Sequence, residues 1–255
     1  MIDAHAHLTD RRFAADVAEV MERARKAGIE RVLTAGEDVP SSREALALAA
    51  RHGDVRVAVG VHPHRAASWG PEALEGLTEL ARDPHVVAIG EIGMDFSGRS
   101  APPDVQEAAF RGQLGLAALL DLPVVIHVRD AGDRVRAILG EGVEVRGMIH
   151  CYSEGPEELA AWLAFGLHIS FAGTLTYPGS DRLRAAAPLV PVNRLLAETD
   201  APYLAPQNAR GRRNEPLYVA ATHAALARER GVDIGDLAGQ IAGNAKRLFG
   251  ARWGT

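Results

Sequence analysis

Residues 123–139, PVVIHVRDAGDRVRAIL, contain one complete strand-and-helix unit of this chain. A short apolar and β-prone run, Pro123 to Asp130, is followed at once by Ala131 to Leu139, where apolar residues recur at helical spacing. A change from strand-type to helix-type patterning predicts a strand followed by a helix. The same unit recurs along the whole chain, and repeated units of this kind are typical of a parallel sheet covered by helices.

Seven more β-prone runs resemble the one in this unit. The eight runs are Met1 to His7, Arg31 to Gly36, Arg56 to Pro63, Val86 to Phe96, Pro123 to Asp130, Glu144 to Tyr152, His168 to Gly173 and Leu195 to Pro202. No low-complexity linker separates them in this chain of 255 residues, so we expect an α/β fold with a single domain. Eight such units predict a (β/α)8 barrel of the TIM type over residues 1–255.

Helical segments alternate with the eight runs. In the first segment Val20, Met21 and Ala24 fall on one face, and Gly28 follows as a residue that stops helices. Pro71 and Pro156 stand where a first helical turn would begin and where a missing amide proton costs little. The predicted helices are Arg12 to Ala27, Ser42 to Arg51, Pro71 to Arg82, Asp104 to Leu120, Ala131 to Leu139, Pro156 to Phe165, Asp181 to Ala187, Glu215 to Arg230 and Asp233 to Phe249.

Composition narrows the class of protein. Hydrophobic residues make up 47% and charged residues 24% of the chain, as in soluble globular proteins. Cys151 is the only cysteine, which excludes an intramolecular disulfide and a cysteine-based zinc cluster. The N-terminus lacks the pattern of a secretion signal, and no apolar run is long enough to span a membrane without charges. We therefore expect a cytoplasmic protein without membrane association.

Six ionisable residues fall at or near the carboxyl ends of predicted strands, where the reacting groups of such barrels converge. They are His5, His7, Glu91, His127, His150 and Asp200. His5 and His7 point the same way because side chains alternate along a strand with period two. Any metal in this chain must use histidine and carboxylate ligands, which suit Zn²⁺, Mn²⁺, Co²⁺, Ni²⁺ or iron, whereas Mg²⁺ is less natural but possible.

Each of the six has an ordinary structural explanation when taken alone. A His-x-His pair is often only a hydrogen-bonded pair, and His127 or His150 by itself is more often a core histidine than a ligand. Glu91 lies in an apolar strand, where a carboxylate is costly unless it is metal-bound or joined in a buried salt bridge. Six candidates on one rim are hard to attribute to packing, so together they predict a metal site.

Further polar residues stand near the same rim. His62 and His64 could donate hydrogen bonds to a phosphate or carry a proton to a leaving group, or they are only a surface loop pair. Arg129 shares the face of His127 and suits bidentate capture of a phosphate, and its alternative is a salt bridge to Asp95 or Asp130. We expect Asp95 in the loop beyond the fourth strand, where it would support or orient a ligand.

A net charge of −5 argues against binding of nucleic acid by a general basic face, so such a substrate would need local attraction. Two divalent cations would offset most of that charge. Arg210, Arg212 and Arg213 could attract a polynucleotide backbone after the eighth strand, although a solvated charge run is the commoner explanation. Four aromatic residues near strand ends could stack on bases: Trp69, Tyr152, Tyr177 and Tyr203. Cys151 should face away from His150 and be inert.

Seven segments resemble, in order and spacing, the TatD-type deoxyribonuclease family of metal-dependent hydrolases. They are DAHAHL (3–8), GVHPH (60–64), GEIGMDF (90–96), IHVRDA (126–131), HCYSEG (150–155), ETDAPYL (198–204) and RGRRNEP (210–216). The resemblance extends over nearly the whole chain, and several motifs in one order are more specific than any single pattern. Glu154 replaces a glycine and Met94 a leucine that are common in the family, and neither residue is a ligand.

The resemblance implies two divalent cations: one bound by His5, His7 and Asp200, the other by His127 and His150, with Glu91 bridging both. It also implies hydrolysis of a phosphodiester, most simply by a 3′–5′ exonuclease acting on DNA, with a metal-held hydroxide as the nucleophile. We expect Asp200 to orient the attacking water or take its proton. Glu91 and Asp200 are thus the catalytic candidates, and His62, His64 and Arg129 the candidates for substrate binding.

Three other functions are compatible with a barrel of this kind and differ in the residues they require. A barrel whose metals share a carboxylated lysine is excluded, because Lys26 and Lys246, the only lysines, fall in helices away from the barrel mouth. The same metal site could deacylate a D-aminoacyl-tRNA, an activity found among relatives of the family, and the ligand set does not discriminate the two. A binding protein that kept the fold without the chemistry is disfavoured because all six ligand positions are filled. No obligate protein partner is implied.

Overall fold

The computed structural model of the protein describes residues 1–98 and 101–254. Its strands form a single parallel sheet in which each strand pairs with the next along the chain, from β1 to β8. The strands are β1 (Ile2–Ala6), β2 (Arg31–Ala35), β3 (Val55–Val59), β4 (Val86–Asp95), β5 (Val124–Arg129), β6 (Gly147–Ile149), β7 (His168–Phe171) and β8 (Leu195–Ala197).

The sheet curls until its two ends meet beyond β8. Ala6 forms a parallel bridge with Ala201, the amide of His7 donates to the Ala201 carbonyl at 2.6 Å, and the amide of Asp200 donates to the His5 carbonyl at 3.0 Å. The barrel therefore closes between β1 and the segment after β8, at residues that are themselves candidate ligands. The predicted (β/α)8 barrel is confirmed, and every predicted strand run overlaps one observed strand, although β3 begins one residue earlier than predicted, at Val55.

Helices follow the strands and cover the outside of the barrel. They are α1 (Val17–Lys26), α2 (Val39–Ala49), α3 (Pro71–Leu80), α4 (Pro103–Leu120), α5 (Gly132–Leu139), α6 (Pro156–Ala164), α7 (Asp181–Ala186), α8 (Val219–Arg230) and α9 (Ile234–Phe249). Pro71 and Pro156 occupy the first helical turns of α3 and α6, as predicted. Helix α1 turns Val20, Met21 and Ala24 into the core. No helix of the described part is both long and apolar enough to cross a membrane.

Strand ends differ from the prediction at the carboxyl side of the barrel. Strand β6 ends at Ile149 and β8 at Ala197, so His150 directly follows its strand and Asp200 lies three residues beyond its own. The chain leaves regular geometry there, and Asp200 has a φ of 56°. The predicted runs were too long because regular strand pairing stops before the buried residues that follow β6 and β8.

Asp95 was predicted in the loop after the fourth strand, and this is wrong. It is the last residue of β4, all ten residues of which are buried. Its backbone amide donates to the side chain of Gln106 on α4, and the side-chain amide of Gln106 donates back to the Asp95 carbonyl. This pair of bonds from α4 extends the ordered strand to a residue that the sequence pattern alone assigns to a loop.

Candidate metal centre

The carboxylate of Glu91 stands at the centre of the barrel mouth and is 1% exposed. Its Oε1 atom lies 2.7 Å from His127 Nδ1 and 2.8 Å from His150 Nε2. Its Oε2 atom faces a different pair of rings, at 3.3 Å from both His5 Nε2 and His7 Nε2. One carboxylate thus joins two separate groups of imidazoles, supplied by β1, β5 and the segment after β6.

The first group contains His5, His7 and Asp200. The Nε2 atoms of the two rings are 3.2 Å apart, and Asp200 Oδ1 lies 3.7 Å from His5 Nε2 and 3.4 Å from His7 Nε2. Ligand atoms around a tetrahedral ion with bonds of about 2.0–2.1 Å are separated by about 3.3–3.4 Å. The spacing therefore fits three atoms that share one small cation.

The second group contains His127 and His150. Their facing atoms, Nδ1 of His127 and Nε2 of His150, are 3.2 Å apart, and both point at the same oxygen of Glu91. This is again the separation expected of ligands on one cation. The structure thus brings all six predicted ligand residues together. The two groups are not fully separate, because His5 also lies within ligand distance of Glu91 and His150, and His62 within ligand distance of Glu91 and His127.

Buried atoms without partners support a cation at this place. Within the described residues, Oε2 of Glu91 and the Nδ1 atoms of His5 and His7 have no hydrogen-bond partner although they are buried. Buried polar atoms are normally paired, so an orphaned carboxylate oxygen facing two imidazole nitrogens needs an explanation. A cation between these atoms would provide one, and the donor set of nitrogen and oxygen atoms fits a divalent transition metal.

The ionisable groups of the site shift one another's pKa values. Burial opposes ionisation of Glu91, but the surrounding rings of His150, His62 and His5 outweigh burial and hold its pKa well below the ordinary range. Burial likewise lowers the pKa of His7, whereas the neighbouring carboxylates of Asp200 and Glu91 raise it, with a net value of about 10. Burial lowers the pKa of His5. The site thus favours charged carboxylates and a charged His7 beside a neutral His5.

Two glycines allow β4 to bring Glu91 into this position. A side chain on Gly90 would place its Cβ 2.6 Å from the Cβ of Val125 on the neighbouring strand. Gly93 has a φ of 137°, and a Cβ there would collide with the carbonyl of His127. The two glycines on either side of Glu91 thus let β4 and β5 approach closely enough for Glu91 and His127 to meet.

Comparison with known proteins identifies the family of this chain. The family model described as "TatD related DNase" matches residues 2–250. The chain belongs to the TatD family. The family assignment made from the seven motifs is confirmed, and with it the prediction of a hydrolase with a barrel fold.

Curated relatives of this TatD-family chain share about two fifths of its residues. It is 40% identical over 257 residues to the "3'-5' ssDNA/RNA exonuclease TatD" of Klebsiella pneumoniae, covering 98% of both chains. It is 36% identical to the "Uncharacterized metal-dependent hydrolase YabD" of Bacillus subtilis, again covering 98% of both. The crystal structure of the TatD homolog YJJV from Escherichia coli superposes with a TM-score of 0.90 at 30% identity, covering 98% of this chain and 97% of that one.

Two of the predicted substrate-binding residues, His62 and His64, lie beside the second group of ligands, and Arg129 lies two residues beyond His127. His62 is buried, and its Nε2 lies 3.4 Å from Glu91 Oε1. His64 is 40% exposed at its side chain and contacts Asp95 Oδ2 through Nε2 at 2.9 Å. Arg129 is exposed at the end of β5 and, in the described part of the chain, makes neither of the two predicted salt bridges, to Asp95 or Asp130.

The three arginines after β8 have different environments. Arg213 is fixed by ion pairs with Asp16 and Glu215 and covers the ring of Phe13, so it belongs to the framework. Arg210 is exposed and lies 4.4 Å from the centre of the Tyr177 ring. The three arginines therefore do not form one uniform surface, because Asp16, just before α1, and Glu215 pair with Arg213.

The four aromatic candidates for base stacking also differ in their exposure. Tyr152 is 1% exposed and donates its hydroxyl to the Gly155 carbonyl, so it is a core residue and cannot stack on a base. Tyr203 is 41% exposed, and its ring centre lies 5.8 Å from that of His7. Trp69 and Tyr177 are partly buried. Tyr203 thus remains the aromatic candidate nearest to a predicted ligand.

The expectation for Cys151 rested on strand alternation, which does not apply. Strand β6 ends before this residue, and Cys151 has a left-handed φ of 46°. Burial raises the pKa of its thiol well above the ordinary value, and the charges of Asp200 and Glu198 raise it further. The thiol thus lies near the site carboxylates, and its raised pKa favours the uncharged and unreactive form in the metal-free protein.

Proposed function

We propose that this chain is a divalent-metal-dependent 3′–5′ exonuclease that acts on single-stranded DNA or RNA and holds two cations at Glu91. One observation carries the proposal: the two oxygens of a single buried carboxylate face two separate groups of imidazoles at the spacing of shared ligands. The relatives at 40% identity are named as 3′–5′ ssDNA/RNA exonucleases, which supports the reaction and the class of substrate.

The six residues would form two sets of ligands, one set for each cation. His5, His7 and Asp200 would hold one cation, and His127 and His150 the other, with Glu91 bridging. When bound, such cations stabilise charge on a phosphoryl group and make water a better nucleophile near neutral pH. The donor set suits Zn²⁺, Mn²⁺, Co²⁺ or Ni²⁺ better than Mg²⁺.

Asp200 is proposed to orient the attacking water and to accept its proton. Its Oδ1 points toward the Nε2 atoms of His5 and His7, and its side chain remains 13% exposed, which is more than that of Glu91. The carboxylate therefore borders both the ligand group and the open mouth. A general base must be within hydrogen-bond reach of the proton that it accepts, and this position allows that reach.

His62 is proposed to donate a hydrogen bond to the substrate and not to bind a cation. The backbone amide of His64 donates to His62 Nδ1 at 3.0 Å. An amide can only donate, so Nδ1 carries no proton and the neutral ring has its proton on Nε2. That N–H points toward Glu91 Oε1 and the second ligand group, where a phosphoryl oxygen would lie. The tautomer thus favours a donor over a ligand.

Arg129 and His64 are proposed to bind a phosphate of the substrate. Arg129 lies on the strand of His127 and has no acidic partner in the described chain, so its charge is available to a phosphate. His64 reaches into the mouth from the loop after β3, on the other side of Asp95. Such local attraction is needed because the whole chain carries a net charge of −5.

A nuclease assay with defined substrates tests this function. Single-stranded DNA, single-stranded RNA and duplex DNA, each labelled at the 5′ end, would be incubated with protein reconstituted with Mn²⁺ or Zn²⁺. We expect successive loss of nucleotides from the 3′ end of the single strands and slower degradation of the duplex. A D-aminoacyl-tRNA is assayed in parallel. Deacylation without nucleotide release would replace the nuclease proposal, and turnover of neither substrate would support a binding protein.

A further inference from the structure

We infer that Glu198 positions His150 as a ligand by holding the ring nitrogen that faces away from Glu91. This inference rests on the proposed function, since it concerns the second of the two cation groups. Glu198 directly follows β8 and is 0% exposed. Glu198 opens the segment ETDAPYL (198–204) and lies outside the six predicted ligand positions.

The ring of His150 lies between the carboxylates of Glu91 and Glu198 and contacts both. His150 Nε2 lies 2.8 Å from Glu91 Oε1, and the opposite ring nitrogen, Nδ1, lies 3.1 Å from Glu198 Oε1. The ring is therefore held between a carboxylate inside the mouth and a second carboxylate behind it. A histidine that binds a metal through one nitrogen usually donates its other N–H to such a group, which fixes the tautomer and the ring orientation.

The direction of the Glu198 hydrogen bond follows from the ionised form of this acid, which can only accept. The backbone amide of Cys151 donates to the same Oε1 atom at 2.8 Å. A carboxylate oxygen that accepts this amide proton also accepts from the ring, so His150 Nδ1 is the donor in the second bond. His150 thus keeps a proton on Nδ1, and Nε2 is the nitrogen that would bind a cation after it has lost its own proton. This tautomer is the reverse of the one assigned to His62.

Both partners are anchored by backbone bonds that come from neighbouring elements. The amide of Glu198 donates to the Phe171 carbonyl on β7, and the Thr222 hydroxyl on α8 donates to the Glu198 carbonyl. The amide of His150 donates to the Ile126 carbonyl on β5. The separation between the acid and the ring is therefore set by the barrel itself, which a positioning role requires.

The two ligand groups differ in the hydrogen-bond partners of the ring nitrogens that face away from Glu91. His127, the other imidazole of the second group, places Nε2 3.3 Å from Asp95 Oδ2 while its Nδ1 faces Glu91. The Nδ1 atoms of His5 and His7 have no hydrogen-bond partner within the described residues. Within the described residues, only the second group has a carboxylate within about hydrogen-bond distance behind each ring, because Glu37 lies 4.0 Å from His7 Nδ1 and no carboxylate contacts His5 Nδ1. We therefore expect Glu198 to govern the affinity for one cation and not for both.

The test compares Glu198→Ala and Glu198→Gln with wild type by titrating metal-free protein with Zn²⁺ against a competing chelator. We expect two binding steps in wild type and a loss of about 10- to 100-fold in one step only for E198A. E198Q should lose less, because its amide oxygen can still accept from His150 and Cys151. If E198A does not fold, Glu198→Asp decides, because its shorter side chain withdraws the oxygen from His150: affinity identical to wild type in both steps would overturn the inference.

Proton NMR of the zinc-loaded proteins gives a readout that a purely structural role would not change. The Nδ1–H of His150 should give a downfield resonance protected from exchange in wild type, and this resonance should be lost or exchange rapidly in E198A. Asp3→Asn is the matched control, because Asp3 is also a fully buried carboxylate but contacts the Thr199 side chain and backbone amides rather than a ring nitrogen. It should keep both affinities and the resonance.

The outcomes separate this inference from the proposed function. Two binding steps in wild type with unchanged affinities and an unchanged resonance in E198A would overturn the role of Glu198 and leave the metal site standing. Absence of any Zn²⁺ binding by wild type would overturn both. An equal loss in both steps would also contradict the inference, because it would indicate a general collapse of the mouth.

Discussion

Buried histidines occur at both ends of the barrel, and their surroundings differ. At the carboxyl end, His150 lies between two carboxylates, with Glu91 Oε1 at 2.8 Å and Glu198 Oε1 at 3.1 Å. His223 on α8 is just as buried but faces the opening residue of β1, with its Nε2 3.2 Å from the Ile2 carbonyl. One ring meets negative charge on both sides, and the other meets a neutral backbone group.

This difference separates the charge states of the rings in the metal-free protein. Burial lowers the pKa of His150, but the charges of Glu91 and Glu198 outweigh burial and raise it well above the ordinary value. Burial lowers the pKa of both His168 and His223 to about 4, so these rings are neutral. Carboxylate neighbours, and not burial, therefore distinguish a candidate ligand from a core histidine.

The largest effect is expected from Glu91→Ala, which removes the carboxylate shared by both groups. We expect kcat to fall on the order of 10³-fold or more, because the stabilisation by two cations that would be lost amounts to several kcal/mol. Single-turnover nuclease assays and metal analysis measure the change, and circular dichroism checks the fold. Normal turnover in a folded variant that has lost Glu91 would contradict the bridging role.

A matched pair of substitutions tests the contrast between the two ends directly. His150→Gln should lose one cation and lower activity on the order of 10²-fold or more, because a ligand is removed. His223→Gln should retain both cations and activity while the free energy of unfolding falls by about 1–3 kcal/mol. Metal content and denaturant unfolding provide the two measurements. The contrast fails if H223Q loses metal or H150Q retains both cations.

The core histidines should also make the fold sensitive to acid. Their folded pKa values of about 4 lie below the ordinary value of 6.5, so the unfolded state binds more protons between these values. Stability is thus fully present above about pH 6.5 and falls as the pH drops to about 4, by about 3 kcal/mol or less per ring. The free energies of unfolding of wild type and H223Q are measured with urea from pH 7 to pH 4. Their difference gives the contribution of His223 to the pH dependence. A pH-independent difference would contradict the assignment.

The smallest effect is expected from Arg129→Ala at the rim of the mouth. Loss of a charged hydrogen bond to a phosphate should raise KM by about 10- to 30-fold on single-stranded substrates, with a smaller change in kcat. Arg182→Ala is the control, because that exposed arginine is already paired with Glu157 and Glu158. Equal changes in the two variants would mean that general charge, and not a phosphate site, is responsible.

The sequence alone predicted the barrel and the six ligand positions for a clear physical reason. Side-chain alternation and helical periodicity are local properties, and eight parallel strands place all their carboxyl ends on one rim. Residues as distant as His5 and Asp200 could therefore be assigned to one site without knowledge of a single contact. The sites stay a prediction for the experiments above, whereas the fold and the family are confirmed.

Tertiary structure decided what lies behind and beside the ligands. Hydrogen bonds fix the tautomers of His62 and His150, Asp95 is held in β4 by α4, and Arg213 is paired with Asp16 and Glu215. The bond to His62 comes from an amide two residues away, whereas the contacts of His150, Asp95 and Asp16 join different elements of the fold. No local period encodes such meetings, because they follow from packing and from backbone turns such as the left-handed Asp200.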